Sequence, residues 1–170
     1  MADPELDLIT SLKEFERCKL KAIRKIPAVK CATISLNEVD ENKDIEAPLW
    51  LLKYLLEKGM VTLSDDMLRQ IKGNVWRQLA QPDTVLAKVD PNLYILIHLY
   101  LRFIKKNPDL MSIFPTEDHI KSMVNKRYGL VTKCTDIITE NIESRLTFEE
   151  KILLKRLKSV FEAWNKYLYG

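Results

Sequence analysis

The residues of this 170-residue chain that could do chemistry are few and poorly grouped. Acids occur as neighbours at Asp65-Asp66, Glu117-Asp118 and Glu149-Glu150. Two carboxylates divide acid and base work only when their surroundings push their pKa values apart. Here each pair opens an apolar periodic run, in what reads as the first turn of a helix. There the positive end of the helix dipole accounts for the pair without catalysis. A nucleophilic serine needs a base, and none of Ser11, Ser35, Ser64, Ser112, Ser122, Ser144 or Ser159 sits in a nucleophile elbow. His98 lies in an apolar run and reads as a buried imidazole. His119 falls in a first helical turn and reads as exposed. Neither builds a metal site or a dyad. Cys18, Cys31 and Cys134 are an odd number without CxxC spacing, which predicts small core residues in a reducing compartment rather than disulfides or zinc ligands. Four scattered glycines leave no loop to cradle a phosphate, against P-loop and Rossmann chemistry. The expectation is a protein that is not an enzyme, with no cofactor or metal.

Charge is more suggestive. Residues 17–30 hold six bases (Arg17, Lys19, Lys21, Arg24, Lys25 and Lys30) and no acid. Such a face could attract phosphates or an acidic partner, and Lys19, Lys21, Arg24, Lys25 and Lys30 are the candidate basic docking surface. The competing reading is a solvated strand whose lysines block edge pairing. No aromatics interleave with these bases, and a net charge of +3 is modest, so weak or no direct DNA binding is expected. A small basic nucleic-acid-binding protein is the alternative function.

The elements that must position these residues follow from spacing. Leu6, Ile9, Leu12 and Phe15 recur at a helical interval, predicting a short opening helix. Residues 19–24 and 29–36 alternate polar and apolar types and predict two strands of one small sheet, separated by Pro27. An acidic loop follows and ends in a short extended segment before Pro48. Pro48 at a helix start and Gly59 past its end frame a helix, residues 60–63 a brief extended connector, and Ser64 the cap of a second helix reaching residue 81. Gly73 inside that helix predicts a kink or close packing. Residues 92–104 form a helix apolar nearly all round, which must be covered on more than one side, either at the centre of a bundle or by another subunit. Thr116 caps a helix with the stripe Ile120, Met123, Val124, Tyr128, Val131, Cys134, Ile138 and Ile142. Thr147 and Glu150 form a capping box before a last helix with inner face Leu153, Leu157, Val160, Trp164 and Tyr167 or Leu168. The fold class is mainly α: a helical bundle domain (residues 47–170) preceded by a small N-terminal α/β, β-rich domain (residues 1–46).

The segment Ile45-Glu46-Ala47-Pro48-Leu49-Trp50-Leu51 resembles the V-P-L-W-L-A signature that follows a short β-rich domain in GINS proteins of the second-and-third-subunit type. Pro91-Asn92-Leu93-Tyr94 is similar to that family's tyrosine-led helix, and a helix carrying Ile120, Val124 and Arg127 follows it. Residues 147–168, with a Leu146-Thr147 start and an aromatic end, resemble the final helix. The resemblance spans residues 45–168 as a pattern, with Pro48-Leu49-Trp50-Leu51 its one distinctive motif. Where eukaryotic members carry a glycine-rich turn, this chain has residues 37–44, and its compactness is closer to an archaeal subunit.

The resemblance implies a non-catalytic scaffold of the replication fork. It would assemble with a sister GINS subunit, two copies of each, and tether the MCM helicase to a RecJ-like or equivalent factor, with primase or polymerase as further partners. Trp50, Tyr94, Tyr100, Trp164 and Tyr167 are the candidate core or partner-interface aromatics, with Trp50 and Trp164 assigned first to the core. No apolar run approaches the ~20 residues of a membrane span, and residues 1–12 carry acids where a secretion signal carries bases. An intracellular location is expected, cytoplasmic or nucleoid-associated in an archaeon and nuclear in a eukaryote.

Overall fold

The computed structural model describes residues 11–31, 34–107, 115–134 and 140–170. It is mainly helical with a small antiparallel sheet toward the N-terminus. The strands are β1 (Arg17–Ala22), β2 (Val29–Cys31), β3 (Ile34–Leu36), β4 (Asp44–Pro48) and β5 (Val61–Thr62). The helices are α1 (Leu49–Glu57), α2 (Asp65–Leu79), α3 (Leu93–Lys106), α4 (Glu117–Lys133), α5 (Glu140–Glu143) and α6 (Phe148–Tyr169). The chain divides into two compact units, Met1–Met67 with Arg102–Asn107, and Leu68–Leu101 with Pro108–Gly170.

In the first unit β1 is the central strand, antiparallel to β4 on one side and β5 on the other. Its alternation buries Leu20 and Ala22 and leaves Arg17, Lys19 and Lys21 outside, while β4 buries Ile45 and Ala47 and exposes Asp44 and Glu46. One face of the sheet is therefore apolar, and α1 packs against all three strands. Pro48 is the cap residue of α1, extended at φ −58° and ψ 147°, so the helix begins one residue later than the proline predicts. At the other end Gly59 takes φ +65°, Gly59 N–H reaches Leu56 O at 3.1 Å and Met60 N–H reaches Leu55 O at 2.9 Å. This paired closure needs a left-handed residue, which glycine supplies without a Cβ clash.

Two strand expectations need correction. Residues 29–36 are not one strand but two short ones, β2 and β3, paired antiparallel with Val29 opposite Leu36 and Cys31 opposite Ile34. Nor do they join β1, whose partners are β4 and β5. Polar-apolar alternation is the same for one strand and for a hairpin in register, and Ala32-Thr33 lacks the Asn-Gly type of turn signal. The opening helix falls mostly outside the described residues, of which 11–14 are helical.

The helix-capping residues act as their types predict. Ser64 Oγ accepts from Met67 N–H at 3.2 Å at the head of α2, and Thr116 and Thr147 each form a capping box, with His119 and Glu150 respectively. Gly73 is not tightly packed: α2 is continuous through it, and an added Cβ would meet nothing within 4 Å. The all-round apolar helix α3 is covered by the chain itself, since Leu93, Ile95, Leu96, Ile97, Leu99, Tyr100, Phe103 and Ile104 are all buried. No second subunit is needed for it. His98, between buried Ile97 and Leu99, is exposed, not buried. α4 closes at Cys134, whose N–H reaches Leu130 O and Val131 O at 3.1 Å. The predicted continuation to Ile138 lies outside the described residues, and Ile142 belongs to α5.

Candidate partner interface

The five aromatics picked from the sequence separate into two kinds. Tyr100 is 0% exposed, its hydroxyl donating to Pro115 O at 2.6 Å, and burial pushes its pKa up to about 12. Tyr94 is half-buried and donates to Glu150 Oε1 at 2.8 Å; burial, then the adjacent Glu150 carboxylate, raise its hydroxyl well above the ordinary value. Both serve the interior. Trp50 and Trp164, assigned first to the core, are instead 37% and 56% exposed, and Tyr167 is 79% exposed. On α1, Trp50 shares one side of the helix with exposed Tyr54, and with Ser11, Glu14 and Phe15 it lines a shallow surface hollow.

What holds α6 in place is a buried polar cluster. Arg127 of α4 and Glu150 of α6 are 0% and 1% exposed at the side chain, and Nε and Nη2 of the arginine donate to the two carboxylate oxygens at 2.6 and 2.7 Å. Nη1 donates to Gln78 Oε1 at 2.8 Å and Ala87 O at 3.0 Å, and Nη2 also to Arg145 O at 3.1 Å. All five N–H donors of the guanidinium are thus used. Glu150 Oε2 additionally accepts from Thr147 N–H at 2.9 Å, so one carboxylate serves the capping box, the ion pair and Tyr94. Burial alone would raise the Glu150 carboxyl, but Arg127, the Thr147 N–H and the Tyr94 hydroxyl hold it below its ordinary value. Gln78 completes the set, accepting from Ala87 N–H at 2.9 Å and donating to Val85 O at 3.2 Å. From the sequence Glu150 reads only as a cap and dipole residue. The signal for its buried role is Arg127, a base on the same helical face as Ile120, Met123 and Leu130, whereas Tyr128 of the predicted stripe is exposed.

The anchor covers only the start of α6. Glu150 and Leu154 are its buried residues, and Leu153 and Leu157 pack partly against the cluster Leu86, Leu130, Val131, Leu146 and Leu154. Beyond that point Val160, Phe161, Trp164, Tyr167, Leu168 and Tyr169 are exposed, with the Trp164 and Tyr167 rings 5.8 Å apart. The inner face predicted for the last helix is not buried: Leu153 and Leu157 pack only partly, Val160, Trp164, Tyr167 and Leu168 are exposed, and the buried apolar residue is Leu154, outside the predicted set. The outer half of the helix faces no core.

The basic run is distributed differently from expectation. Lys19 pairs with Glu46 at 3.8 Å and Lys25 with Glu38 at 2.7 Å, and Lys21 stands opposite Asp44 in the β1–β4 register. The hydrogen bond that the Lys25 ammonium donates to Glu38, and then the carboxylate's charge, raise the pKa of Lys25. The acids that neutralise the run come from the following loop and strand, outside the window in which the bases look unopposed. Arg24 and Lys30 are exposed. Cys18 and Cys134 are half-buried rather than core residues, and burial raises both thiols. Among the described residues no three His, Cys, Asp or Glu side chains are grouped to hold a metal, and no helix is long and apolar enough to cross a membrane. No family model matches the chain, and no curated protein matches it in sequence.

Proposed function

We propose that this chain is a non-catalytic scaffold subunit of a GINS-type DNA replication assembly. In this reading it joins a sister subunit, two copies of each, and links the MCM replicative helicase to a RecJ-like or equivalent factor and to the priming and polymerase machinery. The observation that carries the reading is the uncovered aromatic stripe on the outer half of α6, because a run of exposed Phe, Trp, Tyr and Leu on one helical face is the composition of an interface core. Support also comes from Pro48-Leu49-Trp50-Leu51, which stands at the changeover from the last residue of β4 into α1, the place this signature occupies between the β-rich and helical parts. The nucleic-acid alternative draws less support, since Lys19 and Lys25 have acidic partners close by.

Affinity capture of the chain from its native cells, followed by mass spectrometry and light scattering of the purified components, tests the proposal. Recovery of a sister subunit together with MCM, in a complex of defined mass, is the expected result. A stable monomer that recovers neither would overturn it.

A further inference from the structure

We propose that the hollow between α5 and the first half of α6 docks a short acidic segment of a partner protein, one that carries a single bulky apolar side chain among its carboxylates. The site is separate from the exposed aromatics of α6 and does not rest on the assembly reading above. Glu143 of α5, Leu146 of the connection, and Lys151, Leu154, Lys155 and Lys158 of α6 line it, around a volume of about 310 Å³. Leu146 and Leu154 supply an apolar floor, and both belong to the buried cluster with Leu86, Leu130 and Val131. The turns of α6 that carry the lysines follow directly on Glu150, which the buried Arg127 holds. The hollow therefore rests on the packed interior of its unit, and the apolar stems of the lysines extend its walls.

Charge and floor together select the occupant. Lys151, Lys155 and Lys158 succeed one another at steps of four and three residues, so they share one side of α6 over a rise of about 10 Å. Like charges at these steps repel, an arrangement that an anionic partner lying across them relieves. Among the described residues none of the three has an ion-pair partner, whereas Lys19, Lys25, Lys121 and Lys126 each meet a carboxylate. Glu143 is the one acid in the lining. An extended peptide advances roughly 6.7 Å every two residues, close to the spacing of successive lysines along the helix. Carboxylates at alternate positions can therefore follow the row of ammoniums, with an intervening apolar side chain left for Leu146 and Leu154. Nucleic acid suits the hollow less, because a sugar-phosphate backbone brings no apolar group to that floor and the lining holds no aromatic ring on which a base could stack.

Fluorescence anisotropy on the intact chain tests this with a labelled ten-residue peptide that carries glutamate at alternate positions around one central phenylalanine. It should bind at least tenfold more tightly than its glutamine counterpart, with the margin shrinking as salt rises from 50 to 300 mM. It should also bind severalfold more tightly than a form with alanine in place of the phenylalanine, which cannot fill the floor. Lys155→Glu should weaken the glutamate peptide at least tenfold, and Lys155→Gln, which adds no repulsion, severalfold. Lys166→Glu, outside the hollow, should leave its affinity within about twofold. Circular dichroism checks that each variant keeps its helix content. Equal binding of the glutamate and glutamine peptides, no loss on removing the phenylalanine, an equal loss from Lys166→Glu, or binding of none of the peptides would each overturn the proposal. Tighter binding of a labelled thymidine decanucleotide that Lys155→Glu abolishes would overturn it in favour of nucleic acid.

Discussion

Arg127 carries a full charge at zero exposure, and its place is tolerable only because every N–H has an acceptor. Removing one member of such a pair strands the other. Glu150→Leu should therefore cost about 3–5 kcal/mol in urea unfolding by leaving the guanidinium unpaired, and Arg127→Met a similar amount, while the double variant should recover much of the loss. Equal additivity of the two single losses would show that the residues do not act as a pair. The depressed Glu150 carboxyl favours the charged form in the folded state, so its contribution is present above the unfolded carboxylate pKa and declines as the pH falls through the lower folded value. Tyr100 works in the opposite range. With its folded pKa near 12 against an ordinary 10, folding favours the neutral phenol, and stability should fall as pH rises from about 10 toward 12. Tyr100→Phe should flatten that alkaline limb while giving up about 1 kcal/mol of hydrogen bond to Pro115 O. Neither buried pair is legible in the sequence: a hydrophobicity pattern records Arg127 as a polar interruption, and only contact at 2.6 Å with Glu150, 23 residues further along the chain, makes it a core residue.

At the scale of elements, local chemistry decided most boundaries. Pro48, Gly59, Ser64, Thr116 and Thr147 mark helix ends in the structure within a residue of where their conformational preferences put them, because capping depends on neighbours in sequence. Strand pairing depends on partners far along the chain. That is why β1 could be recognised as a strand while its neighbours β4 and β5, the latter only two residues long, could not be assigned to it. The same distinction separates two substitutions. Ser64→Ala removes a side-chain acceptor from the first turn of α2 and should destabilise by about 1 kcal/mol. Gly73→Ala, in the middle of that helix with open space around the new methyl group, should stabilise by roughly 0.5–1 kcal/mol, seen as a rise of about 2–4 °C in the melting temperature. A fall in melting temperature for Gly73→Ala would mean that a surface of another molecule closes on that side of α2.

For the molecule as a whole, the apolar character of residues 92–104 leaves open whether a bundle or another subunit covers that helix. α3, apolar on nearly every side, is satisfied within the chain, and the surface left over is on α6, whose stripe looks on paper like that of any one-sided core helix. Spacing shows which side chains share a face; it does not show how far along a helix the rest of the chain continues to cover that face. Hydrogen exchange separates the two halves directly. Amides of residues 151–158, over the buried cluster and Leu154, should open only with the unit as a whole, whereas those of residues 162–169 should exchange at least 100-fold faster in the isolated chain, since their hydrogen bonds are covered on no side. Binding a partner to the stripe should slow the second group and leave the first unchanged. Uniform protection along α6 in a sample shown by light scattering to be monomeric would mean that the outer half is stabilised without any partner, and the aromatic stripe would then lose its meaning as an interface.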